Sequence, residues 1–322
     1  MTTPAVSLLR KNFPEAEIAY IVDAPYKDLI IGHPDVDTAI VLPGKLGIKD
    51  FLKHMRRIRK AGFDVLIDFH GGPRASLLTL FSKAKFKIGY RIKHKHFLYH
   101  VSAPREPVAG YMHSVESHAG LTKALGISPA SIPAMSLPPA KKQEAEKVRM
   151  ILAGNKCEGH PVIVIHIGAG NRFREWGKEN FIVLMRLFRR HPEIRIFLTG
   201  SQEDGRTAES IMEKSGSPLI SLTGRLSLME LRELIAASSL FVGGDSGPMH
   251  IAATTKTPIV ALFGPTLPEH FGPWRAKAVI LEKDYACRPC RQRACLYEDF
   301  RCMRRITPEA VYKACMSLLH EN

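Results

Sequence analysis

Gly243 to Ala253 reads GGDSGPMHIAA, directly after the short apolar run Leu240 to Val242. The order is that of a strand, a glycine-rich turn and a helix, with Pro248 at the first helical position, where a missing N–H costs nothing. A turn of this kind offers unpaired backbone N–H groups and the positive end of a helix to an anion. Gly247 would let a diphosphate approach the backbone closely, and Asp245 and His250 flank the cradle. By itself the stretch also fits a plain strand-to-helix turn capped by an aspartate, so its surroundings must decide.

Upstream, His166 to Trp176 reads HIGAGNRFREW. The apolar run Pro161 to Ile167 is again strand-sized and again ends in glycines, here followed by Arg172 and Arg174. Two glycine-and-arginine loops after parallel strands could close on one diphosphate from opposite sides; a solvated basic turn is the plainer reading of the arginines. Between and beyond these loops, strands and amphipathic helices alternate. Helices are predicted over Lys178 to His191, Glu203 to Lys214 and Ser227 to Ala237, with strands over Ile194 to Thr199, Leu219 to Leu222 and Pro258 to Phe263. The first half shows the same rhythm, with strands over Glu17 to Val22, Thr38 to Leu42, Asp64 to Phe69 and Lys85 to Tyr90. Its helices are Ile48 to Ala61, Arg74 to Phe81 and His113 to Leu125. Such alternation predicts an α/β protein with parallel sheets covered by helices. Ile127 to Ala140, with four prolines, reads as a linker, which puts a first domain at 1–140 and a second at 141–322. Thr307 to Leu319 is a last amphipathic helix, a candidate to pack back on the first domain. The chain opens on a helical pattern, Pro4 to Lys11, where a doubly wound domain would start with a strand and a tight loop; the first strand of the N-terminal domain is therefore expected to be missing.

The 322 residues carry a formal charge of +15, with 24% charged and 45% hydrophobic residues. That field favours anionic partners: phosphorylated substrates, an anionic membrane surface or nucleic acid. The absence of a basic-aromatic binding motif argues against nucleic acid. No apolar run is long enough to span a membrane and no signal-peptide pattern opens the chain, so a cytoplasmic protein with reduced thiols is expected.

The two loops, together with PIVALFGPT at Pro258 to Thr266, resemble the ADP-heptose:lipopolysaccharide heptosyltransferases of glycosyltransferase family 9. TTPAVSLLRKNFPEAEI at Thr2 to Ile18, HPDVD at His33 to Asp37 and HSVESHAGLTKALGI at His113 to Ile127 extend the resemblance over nearly the whole chain. It implies a GT-B fold, two Rossmann-like domains facing across a cleft, with the nucleotide sugar on the C-terminal one and the acceptor on the N-terminal one. It also implies inverting, metal-independent transfer of a heptose from ADP-heptose to an inner-core lipopolysaccharide sugar, with no cofactor. By this resemblance Asp245, Ser246, Gly247 and His250 fall on the donor-site motif, with Ser246 where Thr is common. Ala169, Gly170 and Asn171 fall on the phosphate loop, Asp204 (or Glu203) on a ribose contact and Leu226 on the base. Arg174 falls where the family usually has Lys, as the cation that neutralises the departing diphosphate. Gly177 replaces the proline that usually follows Trp176. The Gly-Asp pair that carries the family's proposed general base would precede Met1 and is not in this sequence. Impaired transfer is the expected consequence, with Asp23, Asp68 and His70 as the candidates if the base lies elsewhere.

Lys83 to His96, KAKFKIGYRIKHKH, is a charged surface by default. With an anionic, membrane-anchored acceptor implied, it becomes a candidate for acceptor or inner-membrane contact, Arg91 and Lys93 being its central cations and Arg74 lying nearby. Cys287, Cys290, Cys295 and Cys302 are spaced closely enough to hold zinc or an iron–sulfur cluster, or to form disulfides. Reduced structural thiols without a metal are the expectation. Two other functions stay open at this point: a non-catalytic nucleotide-sugar or saccharide-binding relative, and another GT-B enzyme such as a nucleotide-sugar epimerase.

Overall fold

The computed structural model describes residues 1–44, 47–105 and 111–321. The chain divides into two units, Met1–Pro139 and Ala140–Asn322.

The first unit runs α1 (Thr3–Asn12), β1 (Ala19–Asp23), β2 (Thr38–Leu42), α2 (Ile48–Ala61), β3 (Val65–Ile67), α3 (Pro73–Phe81), β4 (Phe86–Tyr90), β5 (Val101–Ala103) and α4 (Ser114–Leu121). Its strands form two separate parallel sheets, β1-β2 and β3-β4-β5. Among the described residues, apolar side chains cluster on each of these sheets. One cluster gathers Ile40, Leu42, Met55, Ile58 and Leu78, the other Ile88, Tyr90 and Leu121. The proline-rich stretch is not a free tether. Ile127, Ile132 and Met135 are buried, the Ser136 amide donates to Thr3 Oγ1, and Ser136 Oγ lies 3.0 Å from His33 Nε2. Its few apolar side chains are spaced far enough apart to hide a packed segment behind the prolines.

The second unit runs α5 (Lys142–Gly154), β6 (Val162–His166), α6 (Lys178–Phe188), β7 (Arg195–Thr199), α7 (Gly205–Ser215), β8 (Leu219–Ser221), α8 (Leu228–Ala236), β9 (Leu240–Gly244), α9 (Gly247–Ala252), β10 (Ile259–Phe263), α10 (Pro268–Phe271), β11 (Ala278–Glu282), α11 (Arg301–Arg304) and α12 (Pro308–His320). Its sheet is one piece, ordered β11-β10-β9-β6-β7-β8, and every pair is parallel. All five residues of β9 and of β10 are buried, as expected where helices cover both faces of a parallel sheet. Trp176, 2% exposed, anchors the core: its Nε1 donates to the Ile306 carbonyl at 2.8 Å and its ring meets Phe181 edge-on at 4.8 Å. The closing helix α12, weighed from the sequence as packing on the first unit, buries Val311, Cys315 and Leu318 in this same core, against α6 and the β9-β10-β11 side of the sheet.

Among the described residues, no helix is long and apolar enough to cross a membrane.

Candidate functional site

In the strand order of the second unit, β6 lies beside β9, and the chain progresses outward from that pair in both directions. This is the topological switch point of a doubly wound sheet, where loops at the carboxyl ends of adjacent strands part and leave a crevice for ligand. The loops that leave β6 and β9 there are the two glycine-containing stretches.

Asp245 follows β9 and is 4% exposed. Its Oδ2 accepts from Thr266 Oγ1 at 2.7 Å and lies 3.1 Å from Arg174 Nη1; its Oδ1 lies 3.8 Å from His250 Nε2. Burial pushes the Asp245 carboxyl above its ordinary range, against the opposing pull of the Thr266 hydroxyl and the Arg174 charge. An ionised Asp245 thus depends on those two partners. Ser246 turns its hydroxyl back to the Gly244 carbonyl and does not cap α9. The first-turn amides of α9 are left to meet a ligand or water. With only six residues in α9, most of the positive charge at this point must come from side chains.

Arg174 supplies it. After β6, Gly170 turns in the left-handed region at φ +61°, and Asn171 Oδ1 caps the next turn by accepting from the Phe173 amide. That turn aims Arg174 across at β9, where Nη1 donates to the Asp245 carbonyl at 3.2 Å. Arg174 Nε donates to Gln292 Oε1 at 2.9 Å, and Asn171 Nδ2 donates to the same oxygen at 2.8 Å.

Asp204 lies just after β7. Its Oδ2 accepts from both the amide and the hydroxyl of Ser201, at 2.7 and 2.8 Å. The carboxylate fits because its neighbours are glycines: a Cβ on Gly168 would stand 2.4 Å from Asp204 Oδ2, and one on Gly200 at 2.8 Å. Leu226, half-buried, sits in the loop between β8 and α8. Ala169, Gly170, Asn171, Arg174, Asp204, Leu226, Asp245, Ser246, Gly247 and His250 therefore all lie beyond the carboxyl ends of β6, β7, β8 and β9. Contacts tie Arg174, Asp245 and His250 into one cluster; Asp204 and Leu226 sit on the neighbouring loops after β7 and β8. Sequence reasoning missed Gln292 and gave Thr266 no role. Thr266 carried a signal, lying in the loop after β10. Gln292 carried none, an isolated amide among cysteines and arginines.

On the first unit, Arg74 is already engaged: Nη1 pairs with Asp23 Oδ1 at 2.8 Å and Nη2 donates to the Pro43 carbonyl at 2.9 Å. Arg91 and Lys93 are exposed. Asp68 is sealed, accepting from the amides of His70 and Gly71 and from the Tyr99 hydroxyl. Burial first, and then the bond to Asp68, push the Tyr99 hydroxyl upward, out of the usual tyrosine range. His70 Nδ1 accepts from the Gly72 amide, which leaves its proton on Nε2 when the ring is neutral.

A continuous doubly wound sheet with its polar cluster at the switch point, and a second α/β unit ahead of it in the chain, are the parts of a GT-B fold. Residues 51–300 match glycosyltransferase family 9 (heptosyltransferase), and the chain belongs to that family. The lipopolysaccharide heptosyltransferase 3 of Escherichia coli is 26% identical over 284 residues, 85% of this chain and 82% of that protein. Among solved structures, the glycosyl transferase family 9 protein from Veillonella parvula DSM 2008 superposes with a TM-score of 0.85 at 23% identity, covering 100% of this chain and 93% of that one. The ADP-heptose lps heptosyltransferase II of E. coli superposes at 0.78 with 21% identity, covering 99% and 94%.

Proposed function

We propose that the protein transfers a heptose from ADP-heptose to an inner-core lipopolysaccharide sugar, with inversion and without a metal. The observation that carries this reading is the position of Arg174, clamped between β6 and β9 beside the uncapped turn at Gly247. Membership of a heptosyltransferase family and relatives that act with ADP-heptose on lipopolysaccharide support the choice of substrates.

In this reading the diphosphate lies between the loop of Ala169, Gly170 and Asn171 and the turn of Ser246, Gly247 and His250. Asp204 serves the ribose and Leu226 the base. The acceptor hydroxyl attacks the anomeric carbon from the face opposite the diphosphate. The bond from that carbon to the β-phosphate oxygen breaks, and ADP leaves with its new negative charge met by Arg174. The hydroxyl proton goes to a base on the acceptor side. There Asp68 is buried and already accepts three hydrogen bonds, whereas Asp23 is more open and still offers an oxygen beside its bond to Arg74. Arg91 and Lys93 meet the anionic acceptor at the membrane surface, each such cation near an acidic membrane contributing on the order of 1 kcal/mol.

The test is transfer to a heptose-deficient lipopolysaccharide acceptor, read by mass spectrometry of the product together with ADP release. Expected is an acceptor one heptose heavier, and an Arg174→Ala variant slower by roughly 100- to 1,000-fold in kcat. Donor binding without any product would favour a binding protein, and an altered donor sugar without acceptor would favour an epimerase.

A further inference from the structure

Residues 283–304 run from β11 to α11 without a regular element before Arg301, yet they are stitched to the donor side of the sheet at several points. The Cys290 amide donates to the Pro265 carbonyl at 2.9 Å. Arg288 Nη2 donates to the Thr266 carbonyl at 3.0 Å, and Arg288 Nε to the Gly264 carbonyl. Gly264 itself packs directly under Met303: a Cβ there would stand 2.3 Å from Met303 Cγ. Arg172, in the phosphate loop, lies over the Phe300 ring at 5.2 Å. The segment is thus fastened on both sides of the place where it meets the loops after β6 and β10.

Gln292 is the residue that reaches the site. Its backbone sits in the left-handed region at φ +56°, a conformation unfavourable for a non-glycine residue that persists where its surroundings hold it. The Cys290 thiol sulfur accepts from the Gln292 amide at 3.3 Å. Oε1 then takes two bonds at once, from Asn171 and from Arg174. A guanidinium is planar, so fixing Nε at Gln292 and Nη1 at Asp245 fixes the whole group. Nη2 is left as the end with no protein partner among the described residues. The Arg174 side chain is 28% exposed.

We propose that Gln292 is a positioning residue for the donor site. It orients the guanidinium of Arg174 so that Nη2 meets the diphosphate, and it explains how an arginine serves where a lysine is usual. An ammonium is a point charge with no fixed plane, and has no Nε to anchor; a guanidinium gains from a partner that sets its plane. The carbonyl end of Gln292 is an acceptor without charge, so it orients Arg174 without adding a second negative charge to that of Asp245, 3.1 Å from Nη1. This inference rests on the reading of the site as a nucleoside-diphosphate site.

Calorimetry of the intact protein with ADP, AMP and adenosine tests both layers separately. Wild type is expected to prefer ADP to AMP; lack of that preference would sink the donor reading and this inference with it. Gln292→Met keeps the length of the side chain and removes the acceptor. It is expected to weaken ADP by roughly tenfold, as for a lost hydrogen bond to a charged group, while AMP and adenosine change less than about twofold. In an Arg174→Lys background the same Gln292→Met change is expected to have little further effect on ADP, because the guanidinium it orients is gone and only its bond to Asn171 remains to be lost. Unchanged ADP affinity in Gln292→Met, an equal loss for all three ligands, or a full additive loss in the Arg174→Lys background would each overturn the proposal while leaving the donor reading standing.

Discussion

His166 ends β6 next to the phosphate loop, with Nδ1 3.1 Å from Thr199 Oγ1. Burial pushes its pKa down to about 4, the Asp204 carboxylate opposing only in part. The ring is therefore neutral in the folded chain at pH 7 and must charge in acid. Since the unfolded ring takes its proton near 6.5, stability is full above that value and falls as pH drops toward 4, by at most about 3 kcal/mol from this group. The expected result is a flat His166 Cε1–H chemical shift from pH 8 to 5.5, with urea midpoints falling below pH 6; a titration centred near 6.5 would contradict it. At this scale much of the candidate cluster was legible. Asp245, Gly247, His250 and Arg174 lie in the two glycine motifs that stand out in the sequence, and the structure brings Arg174, Asp245 and His250 into contact. Gln292 was not, because its two bonds reach across 121 and 118 positions, and no local pattern records such a meeting. The sequence also could not tell that Arg74 would be taken up by Asp23 and Pro43.

Helix ends show how far local chemistry carries. Ser227 and Thr307, the first residues of two helices read from the sequence, are N-caps of the residue types that favour that position, and each accepts from the backbone three residues on, Ser227 from Glu230 and Thr307 from Ala310. At Ser227 the cap is reciprocal: Glu230 Oε2 accepts from the Ser227 amide at 2.7 Å and also holds Lys147 of α5 at 2.9 Å. Removing the hydroxyl in Ser227→Ala is expected to cost about 1 kcal/mol by urea denaturation, with ADP affinity unchanged; a stability equal to wild type would show that solvent caps the turn as well. Two strands were missed for different reasons. β5 has three residues, too few for a period to show. β11 reads AVILE, a strand signal in plain view, but it follows the glycine, proline and charges of 272–277 and lies at the sheet edge, partly exposed. The packed stretch at Ile127 to Met135 was read as a tether because prolines outweighed three well-spaced apolar side chains.

Over the whole chain, the alternation of strands and helices predicted two α/β units, and the family match and superpositions bear the GT-B fold out. The order of the strands in each sheet was beyond the sequence pattern, since parallel strands pair through contacts distant in the chain. That order gives the second unit its meaning. It brings the loop after β6 beside the loop after β9, and so turns two separate glycine motifs into one cluster around Asp245. The first unit, with its strands in two sheets, offers no comparable convergence among its described residues. The most direct measurement of this account is a crystal structure of the intact protein with ADP. The account predicts the diphosphate at the carboxyl ends of β6 and β9, with an oxygen within about 3 Å of Arg174 Nη2 and of the Gly247 amide, and the ribose beside Asp204. ADP bound elsewhere, or a diphosphate with Arg174 still turned only toward the protein, would contradict it.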